Sequence, residues 1–383
     1  MGKWKEYNIG ELGEVITGKT PSTKNEEYWN GNVMFITPKD IQGSKHIFQT
    51  ERYISDLGKN KIQSSILPMN AICVSCIGVI GYLGMTTQES VSNQQINSII
   101  VNKKNNVDFV YYSLKNLWNY FKKYEGQSTT LSILNKTQFS KIKVKIPDKI
   151  IQNRIASILC SLDNKIEINN KINDNLEQQA KAIYQQMFID NPDSNWAAGT
   201  LSDIANITMG QSPSGSSYNE DGNGTIFFQG RAEFGFRFPS VRLFTTEPKR
   251  MACENDTLMS VRAPVGDLNV AHRYCCIGRG LAAIHSKNNH QSFVHYTMVS
   301  LKKQLDVFNR EGTVFGSINR NALNAMPILI PSDEKLDKFE SIVAPMDTTI
   351  RNNYDEICRL EKIRDSLLPK LISGEVDVSA IDL

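Results

Sequence analysis

The sequence lacks any long apolar segment. Its 383 residues contain no run of 18 consecutive apolar residues, and the opening residues, Met1 to Glu6, do not lead into one. A membrane-spanning helix needs about 20 apolar residues and a secretory signal needs an apolar core, so we expect a cytoplasmic protein without membrane contact. The seven cysteines are odd in number and scattered, which argues against a disulfide framework.

The sequence also lacks the motifs of nucleotide and cofactor chemistry. It has no G-x-x-x-x-G-K-[ST] phosphate loop to support ATP hydrolysis, and no F-x-G-x-G cofactor loop. Amino-methyltransferases hold the target amine with an Asn/Asp-Pro-Pro-aromatic stretch. The nearest string, at 191–194, has one proline and no aromatic residue. We therefore expect this chain to bind no cofactor of its own.

Metal and nuclease sites are not indicated either. Cys73 and Cys76 form a lone C-x-x-C pair within an apolar run, which favours core packing over metal binding. The five histidines show no His-x-x-x-His spacing with a carboxylate, and no carboxylates stand in a D…E-x-K arrangement. A nuclease site of another form stays open, but recognition is the favoured role.

What the sequence does contain is a repeat of itself. Trp4 and Trp196 begin two parallel segments, and each segment soon reaches a Gly-x-[ST]-Pro-Ser turn. A period near 185 residues is too long for a solenoid unit, so each copy is a whole domain with a connector. Three aligned pairs of segments mark the repeat: 11–22 with 203–214 at an offset of 192, 70–81 with 255–266 at 185, and 143–147 with 327–331 at 184.

The repeat predicts four parts: a domain at 1–148, a helical connector at 149–190, a second domain at 191–331, and a helix with a tail at 332–383. Each domain consists of short β-branched and aromatic runs separated by Gly, Asn and Pro, with one helix-like stretch, at 107–124 and at 291–307. The predicted fold class is α+β, with two repeated, mostly-β domains separated by two long helices.

Both connectors have the alternating three- and four-residue spacing of a coiled coil. The first seam comprises Ile151, Ile155, Ile158, Leu162, Ile172, Leu176 and Ile183, with Lys165, Asn169 and Gln179 as polar breaks. The second seam comprises Leu336, Phe339, Val343, Met346, Ile350, Ile357, Leu360, Leu367 and Leu371, broken by Asn353 and Arg364. Either helix alone could pack on its own domain, but two at matched positions favour an antiparallel pair.

Asn169 and Asn353 occupy equivalent positions of the repeat, near the middle of helices expected at roughly 150–187 and 335–371. A buried polar residue in such a seam fixes the register at some cost in stability. We therefore predict an Asn169–Asn353 contact on a pseudo-two-fold axis. At about 1.5 Å per residue, a helix of this length would hold the two domains roughly 55 Å apart, as a ruler.

Charge is distributed unevenly along the repeat, although the net charge is only +3. Residues 1–150 carry 19 Lys and Arg against 12 Asp and Glu, and residues 196–331 carry 13 against 10. The connectors are acidic, with 4 against 6 in 151–195 and 7 against 12 in 332–383. Basic domains on an acidic rod fit a phosphate-bearing partner, although a modestly basic solvated surface explains the counts equally well.

The two domains differ in the kind of cation they carry. In the first, 18 of the 19 cations are Lys, whereas 9 of the 13 in the second are Arg. Arg makes bidentate contacts with guanine and Lys more often acts as a point charge on phosphate. We infer two surfaces suited to different sequences, with codon bias or recombination of separately evolved halves as the alternative.

Four features together resemble the specificity subunit of type I restriction–modification systems, over essentially the whole chain. They are the repeat itself, the Trp-x-x-x-x-[ILV]-x-[ED]-[LI] openings, the string SVRAPVG at 260–266, and the ending LLPKLISGEV at 367–376. The resemblance implies two target recognition domains, each reading half of a bipartite DNA site, on two antiparallel helices that set the spacer. It also implies a non-catalytic chain that docks two methyltransferase subunits and then ATP-dependent restriction subunits. S-adenosylmethionine, ATP and Mg would be bound by those partners.

Candidate DNA contacts are polar or cationic side chains in loops. In the first domain they are Lys19, Thr20, Ser22, Lys39, Gln94, Gln95, Thr129 and Lys136. In the second they are Gln211, Ser214, Arg231, Arg262, Arg279 and Arg320. Arg231 aligns with Lys39 and Arg279 with Gln94, whereas Arg262 aligns with Ile77, so a role for Arg262 does not carry over to the first domain. For each, a solvated loop residue or a turn-capping side chain is the alternative.

Two other functions remain open at this point. One is a stand-alone DNA-binding or regulatory protein of the same fold, which would not co-purify with a methyltransferase. The other is an enzyme with an unrecognised nuclease or methyltransferase site, which activity of the isolated chain would reveal.

Overall fold

The structure is a computed structural model that describes residues 4–41, 44–125, 132–309 and 316–380. The chain divides into two compact units, Met1–Asn169 with Asp355–Leu383, and Asn170–Tyr354. Each unit contains one sheet-rich domain and a stretch of both long helices. In the part of the chain that is described, no helix is both long and apolar enough to cross a membrane.

The first domain contains eleven described strands, formed where β-branched and aromatic residues cluster between turns. They are β1 (Lys5–Asn8), β2 (Gly13–Thr17), β3 (Trp29–Ile36), β4 (His46–Ile47), β5 (Arg52–Ile54), β6 (Ile66–Leu67), β7 (Ile72–Ser75), β8 (Leu83–Thr86), β9 (Ser90–Ser92), β10 (Ile96–Val101) and β11 (Lys143–Ile146).

The second domain contains eleven described strands as well. They are β12 (Ala197–Thr200), β13 (Ala205–Met209), β14 (Tyr218–Asn219), β15 (Thr225–Phe228), β16 (Leu243–Thr245), β17 (Met251–Ala252), β18 (Thr257–Ser260), β19 (Leu268–Val270), β20 (Cys275–Ile277), β21 (Leu281–Ser286) and β22 (Pro327–Ile330).

Helices link the strands and extend beyond them. The α-helices are α1 (Ile9–Leu12), α2 (Asp56–Lys61), α3 (Val107–Lys115), α4 (Trp118–Glu125), α5 (Lys136–Ser140), α6 (Lys149–Tyr184), α7 (Leu201–Ile204), α8 (Gln291–Ser300), α9 (Lys302–Leu305), α10 (Arg320–Asn324) and α11 (Asp333–Ser373). Short 3₁₀ turns occur at Glu26–Tyr28, Gln63–Ser65, Gly215–Ser217, Arg231–Glu233 and Asp306–Asn309, and a π-helical turn, Gln185–Ile189, follows α6.

The sheets confirm the repeat seen in the sequence. The first unit has sheets in the orders β2-β10-β7-β8-β4, β5-β3-β9-β6 and β1-β11. The second has β13-β21-β18-β19, β14-β16-β15-β20-β17 and β12-β22. Strands β2, β10, β7 and β8 thus correspond in order to β13, β21, β18 and β19. The parallel pair β3–β9 corresponds to the parallel pair β15–β20.

The helix-like stretch expected in each domain is two helices rather than one. In the first domain α3 ends at Lys115 and α4 begins at Trp118. The break occurs because Leu117 donates its N–H to the carbonyl of Leu114, three residues back, which tightens the last turn. In the second domain, Leu301 similarly separates α8 from α9.

The long helices lie where they were predicted, and they pair antiparallel within each unit. In the first unit, Asp163 on α6 accepts a hydrogen bond from Arg364 on α11 at 2.8 Å. In the second, Asn173 on α6 accepts one from Asn353 on α11 at 2.8 Å. Within the second unit, Leu176 of α6 packs with Ile350 of α11, whereas Tyr184 packs with Phe339, so residue numbers rise on one helix while they fall on the other.

The seam of the second helix is confirmed, but the seam of the first is only partly right. Ile172 was predicted to be buried and is 41% exposed. The buried line of α6 instead passes through Leu159, Ile166, Ala180 and Tyr184, together with the buried polar residues Asp163, Asn169 and Asn173. The prediction failed because it followed the largest apolar residues, whereas these polar side chains have hydrogen-bond partners that permit burial.

The Asn169–Asn353 contact stays a prediction, because the hydrogen bonds described for the two asparagines each lie within one unit. Asn169 donates to Glu356 at 2.8 Å, and Asn353 donates to Asn173. The hydrogen bond from Asn169 lowers the pKa of Glu356, and the nearby Lys165 lowers it further, because both favour the ionised carboxylate.

The ends of the long helices complete the cores of the domains. In the first unit, the buried Leu371 and Ile372 of α11 belong to the same apolar cluster as Phe109, and Trp4 packs against it. A Cβ on Gly374 would lie 2.8 Å from the indole nitrogen of Trp4, so glycine is needed there. In the second unit, Phe188 after α6 lies 5.8 Å from Trp196 between ring centroids.

Candidate nucleic-acid interface

Three loops of the first domain meet at the ends of strands β2, β3 and β10. Gly18 donates its N–H to the carbonyl of Ile96 at 3.0 Å, and Asn93 donates to that of Ile36 at 3.0 Å. A Cβ on Gly18 would lie 2.2 Å from the carbonyl oxygen of Asn93. The Gly-x-[ST]-Pro turn therefore needs its glycine for close approach to the neighbouring loop, whatever its backbone angles.

The second domain builds the same frame from different residues. Gly210 donates to the carbonyl of Leu281 at 2.9 Å, and Gly278 donates to that of Phe228 at 2.8 Å. A Cβ on Gly210 would lie 2.1 Å from the carbonyl oxygen of Gly278. Since each bond has a counterpart in the first domain, the two loop sets share one backbone arrangement.

A fourth and a fifth loop join each frame. In the first domain, Cys76 donates to the carbonyl of Gln95 at 2.7 Å and accepts from Leu134 at 2.8 Å. In the second, Val261 donates to the carbonyl of Gly280 at 2.9 Å and accepts from Ile318 at 3.1 Å. These bonds bring the loops that contain Gln95, Arg262, Lys136 and Arg320 to the same end of their sheets as the Gly-x-[ST]-Pro turns. We call each assembly of five loops a loop frame.

Polar side chains of the first loop frame are tied to one another. Thr20 donates its hydroxyl to Oε1 of Gln94 at 2.6 Å, and Lys19 donates to the hydroxyl of Ser64 at 2.8 Å. Gln95 accepts at its side-chain oxygen from Asn93 at 2.9 Å. Lys19, Thr20 and Gln94 are all exposed, so these bonds orient donors and acceptors that face solvent.

The remaining candidates of the first domain are less constrained. Ser22 is exposed, and its carbonyl accepts from the indole of Trp29. The side chain of Lys39 is 80% exposed, with Glu51 3.8 Å away, so this ion pair contributes little orientation. Lys136 is exposed at the first residue of α5. Thr129 lies outside the described residues.

The second loop frame presents arginines. Nη1 of Arg231 contacts Oδ2 of Asp267 at 2.6 Å, while the side chain of Arg231 stays 52% exposed. Asp267 also contacts Lys302 at 3.2 Å, so its charge is shared between two cations. The ion pair holds one side of the Arg231 guanidinium and leaves the rest able to donate to a ligand.

The other candidates of the second domain are exposed on the same loops. The backbone N–H of Arg279 donates to the hydroxyl of Ser212 at 3.2 Å, which joins its loop to the Gly-x-[ST]-Pro turn. Ser214 shares a 2.8 Å hydrogen bond with Ser216. The exposed candidates here are Gln211, Ser214, Arg262, Arg279 and Arg320.

The sequence family follows from comparison with known proteins. A family model described as the type I restriction modification DNA specificity domain matches residues 1–178 and 193–362. The chain belongs to this family. The two matches correspond to the two halves of the repeat, each with part of the helix that follows it.

Relatives in the specificity family cover nearly the whole chain. The putative type I restriction enzyme MjaX specificity subunit of Methanocaldococcus jannaschii is 28% identical over 98% of this chain and 94% of its own length. The MjaIX specificity subunit of the same organism is 28% identical over 99% and 94%. The HindI specificity subunit of Haemophilus influenzae is 37% identical over 43% of this chain and 37% of its own.

A solved specificity subunit has the same fold. The crystal structure of the S subunit from M. genitalium is similar to this chain with a TM-score of 0.61. It covers 97% of this chain and 96% of its own, at 17% sequence identity. This similarity concerns the fold alone.

Sequence reasoning missed two polar residues of the loop frames. Gln229 is exposed, and its backbone lies against Gly278 and Gly280, where an added Cβ would come within 3.0 Å of it. Ser64 was missed because only its hydrogen bond with Lys19 brings it to the frame. Gln229 could have been found from the repeat, since it lies two residues before Arg231 on a loop already selected.

One group of possible metal ligands, which the sequence did not reveal, occurs among the described residues. Cys253, Asp256 and His285 have ligand atoms within 4.8 Å of one another. Asp256 accepts from the backbone N–H of Cys253 at 2.7 Å and contacts Nδ1 of His285 at 2.6 Å, so both of its oxygens have partners. Cys73 and Cys76 lie in the core, at 0% and 2% exposure, as the sequence indicated.

Proposed function

We propose that this specificity-family chain recognises a bipartite DNA site, with each loop frame reading one half. The observation that carries this proposal is that one backbone frame presents two different sets of polar groups. Arg279 stands where the first domain has Gln94, and Arg231 stands where it has Lys39. Since arginine and glutamine pair best with different bases, the two frames are suited to two different half-sites.

The long helices are the proposed docking surface for two methyltransferase subunits. Restriction subunits would then bind to that complex. On these helices, large apolar side chains face solvent, namely those of Ile168, Ile172, Ile342 and Ile363, which are 51%, 41%, 37% and 46% exposed. Because exposed apolar side chains that form a patch mark protein interaction sites, these four residues are the proposed contacts with the methyltransferase subunits. The same helices would set the spacer between the half-sites.

Catalysis is assigned to the partners. S-adenosylmethionine would be bound by the methyltransferase subunits, and ATP and Mg by the partner subunits, so this chain would contribute recognition without chemistry. What supports this division is the sequence, which lacks the phosphate-loop and amino-methyltransferase motifs.

Adenine-methylation sequencing of the host, with and without this gene, tests the proposal. We expect deletion to remove methylation from one bipartite motif, and the intact gene to restore it. An unchanged methylation pattern would contradict the proposed function. Purification of the tagged chain provides a second arm: absence of a methyltransferase would favour a stand-alone DNA-binding protein, and methylation or cleavage by the chain alone would indicate an enzyme.

A further inference from the structure

Each domain is joined to its long helix by a tyrosine–aspartate hydrogen bond. In the first unit, the hydroxyl of Tyr112 on α3 donates to Oδ2 of Asp163 on α6 at 2.7 Å. Tyr112 is 0% exposed and Asp163 is 4% exposed. The bond connects the helix that packs on the sheet with the helix that leaves the domain.

The second unit has the same bond at the equivalent positions. The hydroxyl of Tyr296 on α8 donates to Oδ1 of Asp347 on α11 at 3.2 Å. Tyr296 is 1% exposed. Both residues follow their counterparts by the 184-residue offset that relates α8 to α3 and β22 to β11. Two halves that differ in most polar side chains have therefore kept this pair.

A buried cation accompanies each pair. Lys45 and Arg237 are equivalent, because Met85 donates to the carbonyl of Lys45 at 2.8 Å and Val270 donates to that of Arg237 at 2.9 Å. Nζ of Lys45 lies 4.9 Å from the centroid of the Tyr112 ring, and Cζ of Arg237 lies 5.5 Å from the ring of Tyr296. The tyrosine and the aspartate are identical in the two halves, whereas the cation changes from lysine to arginine.

The carboxylate is paired with a guanidinium in both units, but the arginine comes from different places. Asp163 accepts from Arg364 of α11 at 2.8 Å, whereas Asp347 accepts from Arg237 of the domain itself at 2.5 Å. Taking paired charges out of water costs about as much free energy as their attraction returns. The tyrosine–aspartate pair is the same in both units, although its arginine comes from a different element in each. We therefore infer that the pair fixes the orientation of the domain more than it adds to the free energy of unfolding.

We propose that Tyr112 with Asp163, and Tyr296 with Asp347, are positioning residues that set the orientation of each loop frame on its stretch of helix. This inference rests on the proposed function. The phenol and the carboxylate meet at one point with a narrow range of angles, so the pair opposes rotation of the domain about the helix. Because successive base pairs lie about 3.4 Å apart, a small rotation changes the spacer that the complex accepts, while the base-contacting groups stay the same.

The test uses the complete complex with its methyltransferase subunits and a library of DNA duplexes. The duplexes carry the wild-type half-sites, separated by the wild-type spacer or by one or two base pairs more or fewer. For Tyr112→Phe, Tyr296→Phe and the double variant, we expect the preference for the wild-type spacer to fall by about tenfold, a change equivalent to one ordinary hydrogen bond. The bases preferred within each half-site should not change.

Tyr111→Phe is the matched control. Tyr111 is a buried neighbour on the same helix, 3% exposed, and the two side-chain bonds to Asp163 come from Tyr112 and Arg364 instead. Its spacer preference should equal that of the wild type. Lower thermal stability of the Tyr112 and Tyr296 variants with an unchanged spacer preference would overturn the proposal and leave a purely structural role.

A second variant tests the proposal if the tyrosine variants fail to fold. Ser292 donates its hydroxyl to the other oxygen of Asp347 at 2.8 Å. Ser292→Ala keeps both tyrosines and removes one hydrogen bond to the Asp347 carboxylate. It should relax the spacer preference in the same direction by a smaller factor, and an unchanged preference would count against the proposal. If the wild-type complex methylates no bipartite site at any spacer, the proposed function itself has failed, which separates the two outcomes.

Discussion

Arg279 and Gln94 occupy one position of the repeated loop frame and carry different hydrogen-bonding chemistry. The backbone of Arg279 is fixed by its bond with Ser212, and its side chain is exposed. If it reads a guanine, Arg279→Ala should cost about 1–3 kcal/mol of binding free energy on DNA with that base, and little on DNA with another base there. Competition binding of the assembled complex to duplexes that differ at one base pair measures this.

Arg279→Lys separates base reading from phosphate contact. Lysine keeps the charge but cannot form the bidentate fork. A lysine variant that resembles Arg279→Ala supports a guanine contact. A lysine variant that binds like the wild type, combined with an equal loss for alanine on every sequence, would make Arg279 a phosphate contact.

Asp163 makes the first unit sensitive to acid. Burial opposes its ionisation, but Lys115, Arg364 and Tyr112 outweigh burial and hold its pKa below the ordinary value, which is about 3.9 for aspartate. The ionised form therefore contributes stability that is fully present above about pH 4 and is lost as the pH falls through the folded-state pKa.

Asp163→Asn should remove this part of the pH dependence. Between pH 5 and about 3, the free energy of unfolding should fall more steeply for the wild type than for the variant. Denaturant titrations at each pH give both curves. Parallel curves would show that Asp163 does not contribute to acid unfolding.

At the scale of elements, the end of α11 belongs to the core of the first domain. Leu371 is 1% exposed, whereas Ile363 on the same helix is 46% exposed. Leu371→Ala should lower the free energy of unfolding by about 2–5 kcal/mol, because it leaves a cavity in a packed core. Ile363→Ala, the control, should change it by less than about 0.5 kcal/mol. Urea denaturation measures both, and equal effects would contradict this packing.

The sequence predicted elements better than contacts. The spacing of apolar residues located α6 and α11, because burial of one face imposes the helical period. It could not show that the buried line of α6 passes through Asp163 and Asn173, since polar residues become buried only where a partner from a distant segment meets them. The loop residues Lys19 and Arg231 were chosen by chemistry, whereas the Ser64 and Asp267 that orient them depend on tertiary contacts.

At the scale of the whole molecule, each apolar cluster of the described residues has all its members in one unit. The largest cluster of the first unit includes Phe109, Phe121 and Leu371, and the cluster around α11 in the second includes Phe293 and Phe339. The domain repeat was visible in the sequence, because two copies of one core need apolar residues at the same spacing. The sequence did not show that each core also includes the end of a long helix, since those residues lie far away along the chain.

Separate cores should produce local effects of core substitutions. Phe339→Ala should cost the second unit about 3–5 kcal/mol. Hydrogen exchange should then quicken in α8 and the second-unit part of α11, while the amides of β7 and β10 keep their protection. A matching loss of protection in β7 and β10 would show that the two units unfold as one.

The packing of α11 on Trp4 has a consequence for synthesis on the ribosome. Leu368, Leu371 and Ile372 belong to the core of the first domain, yet they are translated roughly 220 residues after the last strand of that domain. At about 5–20 residues per second, this delay is roughly 10–45 s. Throughout that interval, the first domain has all its strands and an unfilled apolar site beside Trp4. We expect the nascent chain to expose this apolar surface to solvent until the last turns of α11 emerge from the ribosome.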